Sequence, residues 1–116
     1  MAVGATDPSS TLDVRGSEAL SYTTTGTATS FTLTNAHRTL RRFGACATIT
    51  LPNANTCAGR LYTIINSNGT GTNVTLSPPT GSAIYDDVTN ATLTSLAPNN
   101  RITIQSDGTG WIVVGR

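Results

Sequence analysis

Arg101-Ile102-Thr103-Ile104-Gln105-Ser106-Asp107-Gly108-Thr109-Gly110-Trp111-Ile112-Val113-Val114 is the stretch on which the fold turns. Its first half alternates with a period of two. Ile102 and Ile104 share one face, while Arg101, Thr103 and Gln105 share the other, the signature of a half-buried strand. Asp107-Gly108 then supplies the chemistry of a tight hairpin turn, because glycine enters positive φ without steric penalty and aspartate bonds to its own backbone. The returning segment, Trp111 to Val114, is apolar on both faces. Such a strand requires cover on both sides, from a second sheet of the same domain or from another subunit.

The same period extends upstream. Ser30-Phe31-Thr32-Leu33-Thr34 alternates, as does Ala45 to Leu51, with Ala47, Ile49 and Leu51 on one face. Arg60 to Asn66 divides Leu61, Thr63 and Ile65 from Tyr62 and Ile64. Asn73 to Ser77 is a short strand stopped by Pro78-Pro79, and Ser82 to Tyr85 and Ala91 to Leu96 are weaker strands. Asn35 to Phe43 is the one helix candidate, and it alternates as well as it would coil. Residues 1 to 20 hold few apolar anchors among Gly4, Pro8, Gly16 and several Ser and Thr, and read as an extended N-terminal arm. The expected architecture is all-β: an antiparallel β-sandwich or small barrel, jelly-roll-like, over residues 21–116, with the arm in front. Val3, Leu12 and Val14 are the arm residues suited to dock on a partner.

Composition narrows the function. Only 11% of the 116 residues are charged, well below the roughly 25% typical of globular domains. Threonine, serine, asparagine and glycine fill the gap. A net charge of +1 argues against nucleic acid as a partner. No stretch is long and apolar enough to span a membrane as a helix, and no secretion signal is visible in residues 1–20. All seven basic residues are arginine, which suits planar contacts at protein interfaces. The dense basic run, His37-Arg38-Thr39-Leu40-Arg41-Arg42, makes Arg38, Arg41 and Arg42 candidates for contact with an acidic partner surface, with plain solvated charge as the alternative. His37 lacks a catalytic companion and reads as a surface residue. Asp86-Asp87 would point to opposite faces of a strand and cannot readily converge on one site. No catalytic constellation, phosphate loop, cofactor motif or metal-ligand cluster is apparent, so no enzyme activity, cofactor or metal is expected. Cys46 and Cys57 are a candidate disulfide, worth on the order of 3 kcal/mol if formed, or else two small buried thiols.

Taken in order, Thr48-Ile49-Thr50-Leu51-Pro52, Ala58-Gly59-Arg60-Leu61-Tyr62-Thr63-Ile64, Asn73-Val74-Thr75-Leu76-Ser77-Pro78, Ser82-Ala83-Ile84-Tyr85 and the Ile102 to Trp111 hairpin compose a recognisable series. The series resembles the small β-domains of bacteriophage head fibres, tail fibres and other virion surface proteins, and covers roughly residues 21 to 115. The resemblance implies a location on the virion, assembly as trimers and no catalysis. It places Leu51 and Val74 in the core, Gly59 and Gly108 in turns and Trp111 over the sheet. It transfers no binding residues, because such domains share a scaffold and not a site. Arg41-Arg42 departs from its pattern and favours a specific docking contact. The expected function is a capsid decoration (cement) protein, made in the host cytoplasm, that binds the major capsid protein as a homotrimer on the head surface. Trp111 and Val113 are then the candidate trimer interface. The alternative is a tail-fibre or receptor-binding module that recognises a host surface glycan or protein.

Overall fold

The computed structural model of the chain describes residues 2–3, 12–14, 16–67 and 71–116. Its strands are β1 Ala2–Val3, β2 Asp13–Val14, β3 Tyr22–Thr24, β4 Ser30–Thr32, β5 Thr39–Arg42, β6 Thr48–Thr50, β7 Leu61–Asn66, β8 Val74–Ser77, β9 Ile84–Asp86, β10 Ala91–Leu93, β11 Ser95–Leu96, β12 Asn100–Ser106 and β13 Trp111–Gly115, with one 3-10 turn at Ala54–Thr56. The 35–43 stretch resolves as a turn followed by β5, in keeping with its alternation.

The strands build an all-β sandwich of two sheets. One has seven strands in the order β10-β9-β13-β12-β7-β5-β3, and the other has four in the order β11-β8-β6-β4. The pairing is mixed and not purely antiparallel, which corrects the jelly-roll expectation. The ladders β3–β5, β5–β7, β4–β6, β6–β8 and β9–β13 are parallel. The ladders β7–β12, β12–β13, β9–β10 and β8–β11 are antiparallel. The cause is the connection pattern. From β3 to β8 the chain crosses to the opposite sheet after every strand, so each returning strand lies beside the one two earlier and runs the same way. Three successive turns of chain thus stack as rungs, in the manner of a solenoid. From β9 onward the chain closes the structure with hairpins.

Register converts the period-two pattern into a core. Thr23, Leu40, Ile64 and Ile102 are successive partners across the large sheet, and Phe31, Ile49 and Leu76 across the small one. Leu40, Ile49, Ile64 and Ile102 are fully buried and Leu76 nearly so, all within one hydrophobic cluster. Each such side chain is stabilised by about 1.5–3 kcal/mol relative to exposure. The neighbours on the solvent side form hydroxyl columns: Ser30, Thr48, Thr75 and Ser95 on one sheet, and Thr39, Thr63 and Thr103 on the other. Thr63 and Thr103 join through their hydroxyls at 2.9 Å. The abundance of threonine therefore follows from the need for β-branched residues on solvated faces.

The residues of the closing hairpin behave as their pattern requires. Trp111 is fully buried, packs 5.4 Å from the Tyr62 ring and donates its indole N–H to the Pro52 carbonyl at 3.2 Å. Gly110 sits where a Cβ would come within 3.1 Å of the Ala83 carbonyl oxygen, so glycine lets β13 approach β9 closely. Asp107 accepts from the backbone N–H groups of Thr109 and Gly110, both at 2.8 Å. Those two bonds, Gly110 first, hold its carboxyl below the usual carboxylate range.

The buried Trp111 side chain reaches from the large sheet to Pro52, just after β6 of the small one, so Trp111→Ala is expected to lower unfolding free energy by about 3–5 kcal/mol in urea titration. A loss under about 1 kcal/mol would show that the two layers are held together elsewhere. Because the folded pKa of Asp107 is depressed, its contribution to stability is present above the unfolded value and is lost as pH falls through the folded one. Asp107→Asn should therefore flatten the pH dependence of the melting temperature below about pH 4, and an unchanged slope there would refute the role of the turn carboxylate.

Candidate functional site

The most distinctive surface is the open end of the stacked rungs. β3 and β4 are the outer strands of their sheets at the same end, and both belong to the first rung. In a parallel ladder the backbone groups of an edge strand alternate between its neighbour and the outside. Ser21 O accepts from Thr39 N, and Thr25 N donates to Arg41 O. Thr29 O accepts from Ala47 N, and Leu33 N donates to Thr50 O. The odd-numbered residues are thereby used within the sheets, which turns the N–H and C=O of Tyr22, Thr24, Ser30 and Thr32 outward. No other described strand covers these two edges, which lie next to the exposed side chains of Leu20 and Tyr22.

The structure separates the basic run. Arg41 stays exposed, donates its Nε–H to Ser67 Oγ at 3.0 Å and lies 5.6 Å from the Phe43 ring centre. Arg38 is half-buried and donates to Thr63 Oγ1 at 2.9 Å. Arg42 is a correction to the expected contact residues, since only 2% of it is exposed. On β5 it alternates with Arg41 and so points inward, where it donates to the Cys46 carbonyl and to Asn66 Oδ1. His37 closes a local turn: its Nδ1 accepts from Thr34 N at 2.9 Å, and its ring meets Phe31 edge to face.

The cysteines are a second correction, because both are free and buried. The Cys46 carbonyl is tied through Arg42 to Asn66, at the C-terminal end of β7. The Cys57 carbonyl accepts from Arg60 N, just before that strand begins. These anchorages lie at opposite ends of the six-residue β7, so the two cysteines are not neighbours. Burial pushes the Cys46 thiol up.

The third correction concerns the closing strand. Trp111 is enclosed by its own chain and Val113 packs half-buried against the core, so Trp111 has no surface left for a partner. Their alternates face outward. Ile112 pairs in register with Tyr85 on β9. Tyr85, Val88 and Val114 are exposed, Val88 most of all at 88%. Of the arm residues, Leu12 is exposed and Val14 half-buried, while the Val3 side chain and residues 1, 4–11 and 15 lie outside the described residues. β1 and β2 pair in parallel with each other and form a ladder separate from both larger sheets.

At the end of the sandwich where β7 finishes, two adjoining hollows of about 480 and 360 Å3 share Asn99, Asn100 and Arg101 in their walls. Leu93 and Leu96 line the larger one together with Arg116. Arg116 is ion-paired with the buried carboxylate of Asp86. Sequence patterns did not single out these residues, because they come from the starts and ends of separate strands. The turn-forming run Pro98-Asn99-Asn100 is the local signal that could have pointed to them. Comparison with family models, with curated proteins and with solved structures yields no match to this chain.

The opposite fates of neighbouring arginines make a sharp test. Arg42→Ala removes the donor from two enclosed acceptors and is expected to destabilise the fold by roughly 2–4 kcal/mol. Arg41→Ala, at the surface, should fall within about 0.5 kcal/mol of the parent in the same denaturation experiment. Equal effects would contradict the inward placement of Arg42.

Proposed function

We propose that this chain is a non-enzymatic structural protein of a bacteriophage particle, a capsid decoration protein that binds the assembled head as a homotrimer. The observation that carries the reading is the open rung. Tyr22, Thr24, Ser30 and Thr32 offer backbone donors and acceptors on two adjacent edges. Such edges bind an extended segment of another protein through main-chain hydrogen bonds, with little demand on its sequence. An unprotected edge is also an aggregation hazard, which gives a partner that covers it a physical purpose. The order of strand motifs resembling virion surface domains supports the same reading, since β6, β7, β8 and the β12–β13 hairpin carry them in one sandwich.

Self-association would use the outward side of the closing strand. Ile112 and Val114, with Tyr85 and Val88 beside them, supply apolar surface that water does not favour. Three copies joined there would present three open rungs to the shell. Each rung then needs only modest affinity, because simultaneous engagement multiplies the binding of one. The major capsid protein is the partner in this reading, and Arg41 is the basic side chain best placed at the surface to meet it.

The mass in solution, measured by light scattering, is expected to be that of three subunits, and Val114→Asp is expected to reduce it to one. Thr32→Pro gives the complementary test. Its N–H points away from β6, so proline removes no ladder bond there, as on other sheet edges. The variant should fold yet fail to co-sediment with phage heads. A parent protein that is monomeric and does not bind heads, or a Thr32→Pro variant that binds as well as the parent, would overturn the proposal.

A further inference from the structure

We propose that the larger hollow at the β7 end of the sandwich is a binding site for a carboxylated sugar. Its volume of about 480 Å3 lies within the range of small-ligand pockets. Two guanidinium groups stand in its wall. Arg116 is ion-paired with the Asp86 carboxylate, which is itself almost wholly buried. Arg101, paired through its backbone with β7, is exposed, and its side chain has no hydrogen-bond or ion-pair partner among the described residues. One uncompensated guanidinium beside an anchored one suits a single planar carboxylate, which such a fork binds through paired N–H bonds.

The remaining lining fits the rest of a sugar. Asn73 and Asn99 line the same wall, as does Asn100, one of whose amide protons goes to the Pro98 carbonyl at 3.4 Å. Each presents a donor and an acceptor, the pairing that a sugar hydroxyl, itself both, requires. Leu93, half-buried over the core, gives the apolar contact on which the C–H face of a ring can rest. The loop is set before any ligand arrives. Asn99 adopts a left-handed φ of 63° and donates its backbone N–H to the Asn66 carbonyl at 2.7 Å. Holding a loop in its binding geometry reduces the entropy lost on association. A phosphate group, with its higher charge, would call for more than one free cation. A neutral sugar would leave Arg101 without a role. Neither trimer formation nor head binding enters this inference, so it stands or falls separately from the proposed function.

The test is a titration of the full-length protein with glucuronate, glucose, acetate and inorganic phosphate, followed by NMR of the Asn side-chain amides and the Arg101 Nε–H. Glucuronate is expected to give saturable shifts at Asn73, Asn99, Asn100 and Arg101 in the millimolar range. Acetate and glucose should each bind at least about tenfold more weakly, as should glucuronate to Arg101→Gln. Arg101 is exposed, so that variant should keep the spectrum of the core. Acetate or phosphate binding as well as glucuronate would make this a general anion site and overturn the proposal. Equal binding of glucose, an unaffected Arg101→Gln, or no saturable shift with glucuronate would overturn it too.

Discussion

The side-chain amide of Asn66 is the contact on which much of the molecule depends. It is fully buried at the end of β7, the strand that joins the parallel rungs to the antiparallel hairpin. Its Oδ1 accepts from Arg42 on β5, and its Nδ2 donates to the Leu96 carbonyl at 2.8 Å and to the Thr72 carbonyl at 3.2 Å. Its backbone carbonyl receives the N–H of Asn99. One residue thus connects both sheets, the buried arginine and the turn that enters β12. In a low-dielectric interior such a network is strong when complete and expensive when broken. At the opposite end Ser82 and Ser106 do comparable work: Ser82 accepts from Ala54 N and Ser106 donates to Ala54 O. The apolar core lies between two polar clamps, which set the register at each end while the aliphatic rows fill the middle.

The two modes of strand pairing divide the labour. Stacked rungs place chemically similar residues above one another, which builds the aliphatic rows inside and the hydroxyl columns outside. A stack of this kind has no intrinsic end. The hairpins from β9 to β13 and the short β11 close one end by covering it with antiparallel strands. The first rung has no such cover among the described residues. The binding capacity proposed for this chain follows from that asymmetry: main-chain recognition at the open end, and side-chain recognition where strand termini converge around Asn66, Asn100 and Arg101. In this arrangement threonine and serine solvate the sheet faces apart from the apolar outward side of β13, and the polar recognition chemistry sits at the ends.

The outward face of β13 shows how one strand serves both interior and exterior. Trp111 fills the space between the layers and bonds to Pro52, while Ile112 and Val114 alternate away from it. The same alternation separates Arg41 from Arg42. In each pair a one-residue step decides between a core role and a surface role, and the chemistry of the side chain does not predict which. An arginine directed inward must find acceptors there, and Arg42 finds the Cys46 carbonyl and Asn66.

The local period of the sequence determined the strands. Aliphatic residues alternating with polar ones over 48–50, 74–77 and 101–105, and the β-branched and aromatic run 61–66, encode strands whatever their partners, because successive side chains of an extended chain point to opposite faces. The Asp107-Gly108 turn was legible for the same reason: its bonds and its positive φ are local. Tertiary structure alone decided that β3 to β8 pair in parallel. A strand carries no local mark of the neighbour beside which it will lie, and the crossing of the chain between sheets is a global property. Tertiary structure also decided that Arg42 is enclosed, that Cys46 and Cys57 are not neighbours, and that Asn73, Asn99, Asn100, Arg101 and Arg116 meet around one hollow. These outcomes depend on distances between residues far apart in the chain, which are set by packing and register and leave no trace in the period of any one segment.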